Sequence, residues 1–425
     1  MADGRWRTAD GRTELEDRHL PSAICHPLGH PLVCRIVRGG RIITPFPRRR
    51  DPMAMLSTTF TGLKFDNPFL LASAPPTESD ANIMRAFEAG WGGVVTKTIG
   101  LHPVVNVKGP KTKFLRVDTD SPRLSTKKRP NTALHSSWNW ELISDKTIDW
   151  WIPRLENIKK AFPDKILIAS IMAGSGNDKE LHHWQELTKA VQDVGADGLE
   201  LNFSCPHMDR VDMGSNVGKD KVLCSVVTVA VKEVAKVPVW VKLTPATSNI
   251  AEEAEASFRG GADAISSSNT WPSLTPIDSE TLDFEMSVDG YTSSGGLGGP
   301  AILPLSMAKM SQMTRAFPDK EFSGIGGVST FEHALNYFLL GCGTVQVCTA
   351  AMLDSAIGPN VIRELRNGMT EFMDKRGYAS LEDFLGLRRD RIVPHSQIKR
   401  PEQIDYRGGY EAEGYAVPVG AGTGT

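Results

Sequence analysis

The sequence lacks three features that would each point to a different class of protein. No run approaches the ~18 consecutive apolar residues of a membrane-spanning helix. The net charge of -2 gives no basic excess, so neither nucleic acid nor a membrane surface is predicted as a partner. The six cysteines include no C-x-x-C pair and no zinc or iron–sulfur spacing, so no metal is predicted. Scattered thiols in a long chain indicate a reducing compartment, in the simplest case the cytoplasm.

The 425 residues are enough for one large domain with appendages. Residues 1–54 are rich in arginine and lack periodicity, which predicts a disordered extension or a start site assigned too early. A transit peptide, and with it an organellar location, is the alternative, but several acidic residues there argue against it. We expect the folded domain to span residues 55–390. Residues 391–425 are predicted to be an extended or disordered tail, whose last part, Gly408–Thr425, is rich in Gly and Ala.

From Phe60 onward, short apolar or β-branched runs alternate with segments of helical periodicity that end in glycine. Eight such units in about 290 residues match one α/β domain, a (β/α)8 or TIM barrel, whose usual size is ~250 residues plus insertions. A doubly wound open sheet is the alternative. The predicted strands lie in Pro68–Ala74, Gly92–Thr98, Ile166–Met172, the start of Gly198–His207, Val239–Pro245, Ala264–Thr270, Phe322–Val328 and Thr344–Ala350.

The helical periodicity falls between these strands. Ser329 and Glu332 predict a capping box for the helix that ends at Gly341. The other predicted helices are Asp80–Ala89, Trp150–Phe162, Leu181–Val194, Val226–Ala235, Ile250–Arg259 and one or two closing helices in Val361–Gly386.

The stretch Gly198–His207 (GLELNFSCPH) contains the most informative cluster of polar side chains. It begins as a buried strand and ends in Asn202, Ser204 and Cys205, followed by a proline that cannot extend the ladder. The carboxyl ends of barrel strands carry the catalytic groups in this fold. A buried, inert thiol is the common alternative for any cysteine.

Two lysines, Lys97 and Lys242, lie within apolar strand runs. Burying a lysine is costly without an anionic partner. A structural ion pair would explain each of them, but two lysines at the predicted catalytic rim favour an anion or a polarised ring between them.

Strand 7 leads into Gly326–Gly327 and strand 8 into Cys348–Thr349. The loops after strands 7 and 8 are the usual phosphate site of this barrel, so this position favours phosphate binding over a plain tight turn. Gly174-Ser175-Gly176 lacks the third glycine of a dinucleotide fingerprint and is interpreted as a loop.

Nine motifs together resemble the flavin-binding barrel of dihydropyrimidine dehydrogenases, in the dihydroorotate dehydrogenase superfamily. The resemblance runs from about Phe60 to Leu385. The motifs, in chain order, are NPFLLASAPPT, AFEAGWGGVVTKTIGL, WNWELISDK, DKILIASIM, GADGLELNFSCPH, VPVWVKLTP, SSNT, GIGGV and VQVCTA.

The resemblance implies FMN in the barrel mouth with a pyrimidine stacked on its ring, and Cys205 as the catalytic acid/base. It also implies a set of cofactor contacts and a set of substrate contacts. The implied cofactor residues are Ala72, Ser73, Lys97, Thr98, Asn139, Asn202, Lys242, Gly299, Gly326, Gly327, Cys348 and Thr349. The implied substrate residues are Asn139, Asn202, Ser204, Asn269 and Thr270.

The implied reaction reduces uracil, thymine or a related cyclic amide, with hydride from flavin N5 to C6 and a proton from Cys205 to C5. A thiol near its free pKa of ~8.5 is mostly protonated at neutral pH and can donate. NAD(P)H would be the ultimate electron donor, through an FAD- and iron–sulfur-containing partner subunit or directly at the flavin. We expect a homo- or hetero-oligomer.

Three alternatives stay open at this point. A dihydroorotate dehydrogenase would use the same barrel and cysteine, but would need a cation for the orotate carboxylate. A Schiff-base aldolase would use Lys242 without flavin. A non-catalytic subunit would support electron transfer and tolerate the loss of Cys205.

Overall fold

The computed structural model describes residues 37–38, 41–42, 55–116, 124–125, 135–206, 208 and 210–398. The chain divides into two units, residues 1–51 and 52–425. In the first unit the described residues are two antiparallel strands, β1 (Val37–Arg38) and β2 (Arg41–Ile42). The predictions for the rest of residues 1–54 and for 399–425 lie outside the described residues.

Eight parallel strands close into a barrel in the second unit, in the order β10-β11-β12-β13-β16-β17-β5-β6. The fold class predicted from the sequence, a (β/α)8 barrel, is confirmed. The strands are β5 (Phe69–Leu71), β6 (Gly93–Val95), β10 (Ile166–Ile171), β11 (Gly198–Phe203), β12 (Val239–Leu243), β13 (Ala264–Ser267), β16 (Glu321–Ile325) and β17 (Thr344–Val347).

Helices cover the outside of the barrel, and polar side chains fix where several of them begin. Ser79 caps α1, with its side chain accepting from the Asn82 N–H at 3.3 Å. Asp220 caps α4 by accepting from two backbone N–H groups. The helices are α1 (Asp80–Ala89), α2 (Ile148–Ala161), α3 (Asp178–Asp193), α4 (Lys221–Lys232), α5 (Ile250–Arg259), α6 (Leu303–Ala316), α7 (Phe331–Leu340), α8 (Thr349–Leu353) and α9 (Pro359–Arg376).

A short hairpin closes the end of the barrel where the strands begin. Its strands are β3 (Thr58–Phe60) and β4 (Leu63–Phe65). They bury two phenylalanines against an apolar layer inside the barrel that includes Trp240. The rings of Phe60 and Trp240 meet edge to face, with centroids 5.0 Å apart. This end therefore has no room for a ligand.

A second sheet, which the sequence did not predict, lies among the insertions after β6 and β13. It is antiparallel, with the order β14-β15-β9-β7-β8. Its pairing joins residues far apart in sequence, such as Trp138 and Leu297. The strands are β7 (Thr112–Arg116), β8 (Leu124–Ser125), β9 (His135–Asn139), β14 (Trp271–Ser273) and β15 (Gly295–Gly298).

Within the described residues, no helix is long and apolar enough to cross a bilayer. Short 3-10 segments occupy several of the connections between elements. The 3-10 segments are Pro75–Thr77, Gly214–Lys219, Pro300–Ile302, Leu381–Asp383, Arg389–Arg391 and His395–Gln397.

Candidate active site

A cavity open to solvent lies at the carboxyl ends of the barrel strands, with about 990 Å³ of space including the solvent at its mouth. Residues following β5, β6, β11, β13, β16 and β17 line it, because parallel strands in a closed barrel deliver their ends to one face. The antiparallel sheet contributes Thr112, Ser137 and Asn139 to the wall.

The predicted site residues lie around this cavity with one exception. Ser204 does not line it and is buried behind the wall. The assigned roles themselves stay predictions. The residues brought together are Ala72, Ser73, Lys97, Thr98, Asn139, Asn202, Cys205, Lys242, Asn269, Thr270, Gly299, Gly326, Gly327, Cys348 and Thr349.

Ser204 connects two of the predicted amides. Its hydroxyl donates to Asn202 Oδ1 at 2.9 Å, and its hydroxyl and carbonyl oxygens each lie 3.0 Å from Asn269 Nδ2. Asn202 Nδ2 in turn donates to Thr98 Oγ1 at 2.9 Å. A chain of hydrogen bonds therefore fixes the orientation of both amides, and Ser204 positions the groups that face the cavity.

Lys97 forms an ion pair on the cavity wall. Its Nζ lies 3.2 Å from Glu141 Oε2. Glu141 Oε1 accepts from Thr112 Oγ1 at 3.1 Å, and the Glu141 N–H donates to Asn139 Oδ1 at 3.2 Å. The lysine is buried and the glutamate is largely buried, so the pair is shielded from solvent screening.

Lys242 has its own carboxylate below the cavity wall. Its Nζ lies 3.5 Å from Oε1 of Glu200, which is fully buried. The two interpretations of these lysines, a structural ion pair and a position at the catalytic rim, are therefore compatible: each lysine forms an ion pair and each lines the cavity. The charged members of the described wall are Lys97, Lys242 and Glu141.

Cys205 lies two residues beyond β11 with 4% of its surface exposed, and it lines the cavity. Its carbonyl accepts from the Ser215 N–H at 2.9 Å. Gly214 packs so closely that an added Cβ would lie 2.5 Å from that carbonyl oxygen. The following loop therefore folds back on the strand end and holds the backbone of Cys205 in place.

An ion pair attaches this loop to the first turn of α3, and a hydrogen bond attaches it to the loop after β10. Arg210 bonds to Glu180, and its Nε donates to Asp212 Oδ1 at 2.9 Å. Asp212 Oδ2 also accepts from the Ser175 N–H at 3.1 Å. The Arg210 hydrogen bonds hold the pKa of the Asp212 carboxyl well below its ordinary value.

Two glycines form the wall beyond β16. Gly326 and Gly327 have φ values of +121° and +81°, which side chains rarely adopt. An added Cβ would lie 2.4 Å from Ser306 Oγ at Gly326, and 2.6 Å from Leu303 Cβ at Gly327. The two glycines therefore let this backbone pack closely against α6 while it lines the cavity, at the position where this barrel commonly binds phosphate.

The donor set fits FMN. Two ammonium groups, each partly offset by its carboxylate, suit a ring that gains electron density on reduction, and the hydroxyls of Ser137 and Thr349 lie 2.8 Å apart on the wall beside Gly299. Gln346 also lines the cavity, and its Oε1 has no hydrogen-bond partner within the described residues. A buried amide oxygen without a partner favours a ligand that brings an N–H donor.

Sequence reasoning missed Glu141, Glu200 and Gln346. Glu200 alternates with Leu199 and Leu201 and so shares the inward face of β11 with Asn202, which was a usable signal. Glu141 gave no comparable signal, because its approach to Lys97 depends on how a long insertion folds over the barrel.

Comparison with known proteins gives consistent matches. Residues 142–369 match the family "Dihydroorotate dehydrogenase". The chain is 36% identical over 362 residues to dihydropyrimidine dehydrogenase (NADP(+)), chloroplastic, of Arabidopsis thaliana, covering 83% of this chain and 82% of the relative. It is 36% identical over 348 residues to NAD-dependent dihydropyrimidine dehydrogenase subunit PreA of Escherichia coli K12, covering 81% and 79%.

A third relative is named as a dihydroorotate dehydrogenase, the first of the alternatives to a dihydropyrimidine dehydrogenase. The chain is 31% identical over 353 residues to dihydroorotate dehydrogenase B (NAD(+)), catalytic subunit, of Methanosarcina mazei, covering 82% of this chain and 99% of the relative. Both dehydrogenase types therefore share this barrel with the chain.

Proposed function

Because the chain belongs to the dihydroorotate dehydrogenase family and is an oxidoreductase of the dihydropyrimidine dehydrogenase type, we propose that it reduces the 5,6 double bond of uracil, thymine or a related cyclic amide, with FMN as cofactor. FMN, when bound, supplies the hydride that reaches C6 of the pyrimidine. The chain's own groups bind the ring, fix its orientation and deliver the proton.

Cys205 is the proposed proton donor to C5. It lies at a strand end on the cavity wall, and the loop packed behind it fixes its backbone. Asn202 and Asn269, held by Ser204, offer amide donors and acceptors that can pair with the imide edge of a pyrimidine. Asn139 and Thr270 complete this wall. Lys97 and Lys242 would hold the cofactor and oppose the negative charge of its reduced form.

The observation that favours a neutral pyrimidine over orotate is the pairing of both cavity lysines. Lys97 pairs with Glu141 and Lys242 with Glu200, so two carboxylates offset the two cations. A substrate carboxylate would approach Glu141 and find no uncompensated cation on the described wall. Dihydroorotate dehydrogenase activity therefore remains the second candidate, and the cavity charges disfavour it.

The electron donor is proposed to be NAD(P)H, acting through a partner subunit. Two of the relatives are named as subunits, and both names include NAD; the second is named as a catalytic subunit. Among the residues that the structure describes, no group of His, Cys, Asp or Glu side chains is arranged to hold a metal ion. The Schiff-base aldolase alternative has no support from these three relatives, all named as dehydrogenases.

An anaerobic experiment tests the proposal in two stages. The cofactor released from the denatured, purified protein is first identified by chromatography, with FMN expected. The flavin of the intact protein is then photoreduced, and uracil, thymine and other cyclic amides are added separately. We expect at least one neutral pyrimidine to restore the oxidised flavin spectrum and to be recovered as its 5,6-dihydro product.

Two results would contradict this function. A protein that binds no flavin after reconstitution with FMN would remove the cofactor from the proposal. A reduced flavin that fumarate reoxidises, and that no neutral pyrimidine does, would point to a dihydroorotate dehydrogenase instead.

A further inference from the structure

Glu200 is a buried carboxylate that the proposed reaction does not use. It lies on β11, fully buried inside the barrel, and is not part of the cavity wall. Removing a carboxylate from water costs several kcal/mol, which only good partners can offset. Its partners therefore indicate what it does.

Those partners are arranged around its two oxygens. Oε2 accepts from Ser266 Oγ and from Gln346 Nε2, each at 2.8 Å. Oε1 faces Lys242 Nζ at 3.5 Å and has no hydrogen bond within the described chain. Lys242 and Gln346, the two of these partners that line the cavity, are called the cavity floor below.

Glu200 determines which end of the Gln346 amide is available. A carboxylate only accepts hydrogen bonds, so the Gln346 group facing it must be the NH2. The same nitrogen also lies 3.3 Å from Ser323 Oγ. The amide oxygen, Oε1, is thereby left without a partner in the described structure and is the atom that a ligand can use.

Glu200 also limits the positive charge at the floor. Lys242 would otherwise be a buried cation with 5% of its surface exposed. With the carboxylate behind it, the field that the ammonium exerts on a ligand is reduced, because the two charges partly cancel at that distance. The floor therefore presents one moderated cation and one hydrogen-bond acceptor.

We propose that Glu200 is a positioning residue that sets the electrostatic character of the cavity floor, and through it the reduction potential of the bound flavin. This inference rests on the proposed function, since the ligand concerned is FMN. Glu200 holds the Lys242 ammonium and directs the Gln346 amide. By offsetting the lysine it makes the flavin harder to reduce than the lysine alone would.

The test is Glu200→Gln, which keeps the size of the side chain and removes its charge. With FMN bound, we expect the two-electron equilibrium to shift about tenfold toward reduced flavin, equivalent to a midpoint potential about 30 mV higher. Sulfite, which binds oxidised flavin as an anion, should bind about tenfold more tightly. Both quantities are measured on the loaded protein without turnover.

A double-mutant cycle shows whether the effect passes through the lysine. Because Glu200 is proposed to act by holding the Lys242 ammonium in place, Glu200→Gln should change the potential much less in a Lys242→Met background than in the wild type. A shift of the same size in both backgrounds would contradict the proposal. Glu200→Asp covers the case in which the glutamine variant does not fold; it should move the potential in the same direction by less, and an unchanged potential would overturn the inference.

Glu253→Gln is the matched control. Glu253 is also a buried carboxylate, on α5, where it accepts from Thr247 Oγ1 at 2.8 Å outside the cavity. We expect its substitution to change thermal stability and to leave the flavin potential unchanged. If the wild type binds FMN and Glu200→Gln leaves the potential unaltered, this inference fails and the proposed function stands. A wild type that binds no FMN would refute both.

Discussion

The two ends of the barrel are built from the same eight strands and have opposite chemistry. Where the strands begin, Phe60, Phe65 and Trp240 pack with other apolar side chains and the hairpin seals the end. Where they end, two lysines, one carboxylate and several amides surround an open cavity, and the Glu200 carboxylate is buried behind its wall. Strand β12 contains both kinds of residue, with Trp240 in the sealed layer and Lys242 at the cavity, two positions apart.

This contrast shows how the fold separates stability from function. The apolar layer removes hydrocarbon from water without needing partners. Each buried polar group at the mouth needs a specific partner, and losing one leaves the other unsatisfied. We therefore expect substitutions at the sealed end to affect unfolding, and substitutions at the mouth to affect binding and chemistry.

The largest effect is expected for Cys205→Ser at the mouth. Loss of a positioned proton donor typically slows a reaction ~10²–10⁴-fold. The rate of pyrimidine reduction should fall by about that factor, while FMN content and melting temperature stay close to wild type. Stopped-flow reoxidation of the photoreduced protein measures the rate. A variant that reduces the pyrimidine as fast as the wild type would remove Cys205 as the proton donor.

Cys224→Ala is the control for that experiment. This thiol is buried on α4, away from the cavity, and burial raises its pKa to about 12. It should be unreactive at neutral pH, so its removal should leave the reduction rate unchanged.

Phe60→Ala tests the sealed end. Truncating a fully buried phenylalanine usually costs ~3–5 kcal/mol. The free energy of unfolding in urea should fall by about this amount, and the folded variant should retain the FMN affinity of the wild type. Val105→Ala is the control: Val105 is 94% exposed, and its truncation should change stability by less than ~0.5 kcal/mol. Equal losses for the two variants would contradict the assignment of stability to the sealed end.

Glu141→Gln tests the charge balance at the mouth. The substitution leaves Lys97 without its carboxylate and removes the repulsion toward an anionic substrate. We expect orotate to bind about tenfold more tightly, a change of ~1.4 kcal/mol, with a smaller change for uracil. Perturbation of the flavin spectrum measures both affinities. Glu156→Gln, which removes the same charge from the exposed face of α2, should change neither.

The smallest effect is expected at the loop behind Cys205. Asp212→Asn should lower the free energy of unfolding by at most ~1 kcal/mol, because Arg210, with which Asp212 pairs, is half exposed. Arg210 lowers the pKa of Asp212 in the folded state, so the contribution is present above the unfolded pKa of ~3.9 and is lost as pH falls below it. Unfolding measured across pH should show wild type and variant converging in acid; a difference independent of pH would contradict the ion-pair account.

The sequence predicted the regular elements well where local signals fix them. The helices Asp80–Ala89 and Ile250–Arg259 have the predicted bounds, the first set by Ser79 and Gly90. The predicted capping box at Ser329 was wrong by one residue: Thr330 is the cap and accepts from the His333 N–H. Both residues are good caps, and only the backbone conformation distinguishes them.

Predicted strands extended too far at the carboxyl end. Ala264–Thr270 was predicted as a strand, but β13 ends at Ser267. Asn269 and Thr270 lie beyond its end and line the cavity, where the backbone no longer forms the hydrogen bonds of the sheet. Strand patterning in the sequence cannot separate these two residues, which are proposed to bind the substrate, from the strand that precedes them.

Individual cavity residues were predictable, while their pairings were not. Lys97 and Lys242 were identified because each interrupts an apolar run. Their partners come from other elements. Glu141 follows β9 of the second sheet, and Glu200 lies on β11, the strand next to that of Lys242. The Lys97–Glu141 pairing depends on how an insertion folds, which no local pattern records, and the Lys242–Glu200 pairing depends on the register of two neighbouring barrel strands.

The most direct measurement compares uracil with orotate on one sample of photoreduced wild-type protein. The two molecules differ only in the carboxylate, so the ratio of their flavin reoxidation rates reports the charge of the cavity. Paired lysines predict fast reoxidation by uracil and slow or absent reoxidation by orotate. Faster reoxidation by orotate would contradict the account and assign the chain to dihydroorotate oxidation.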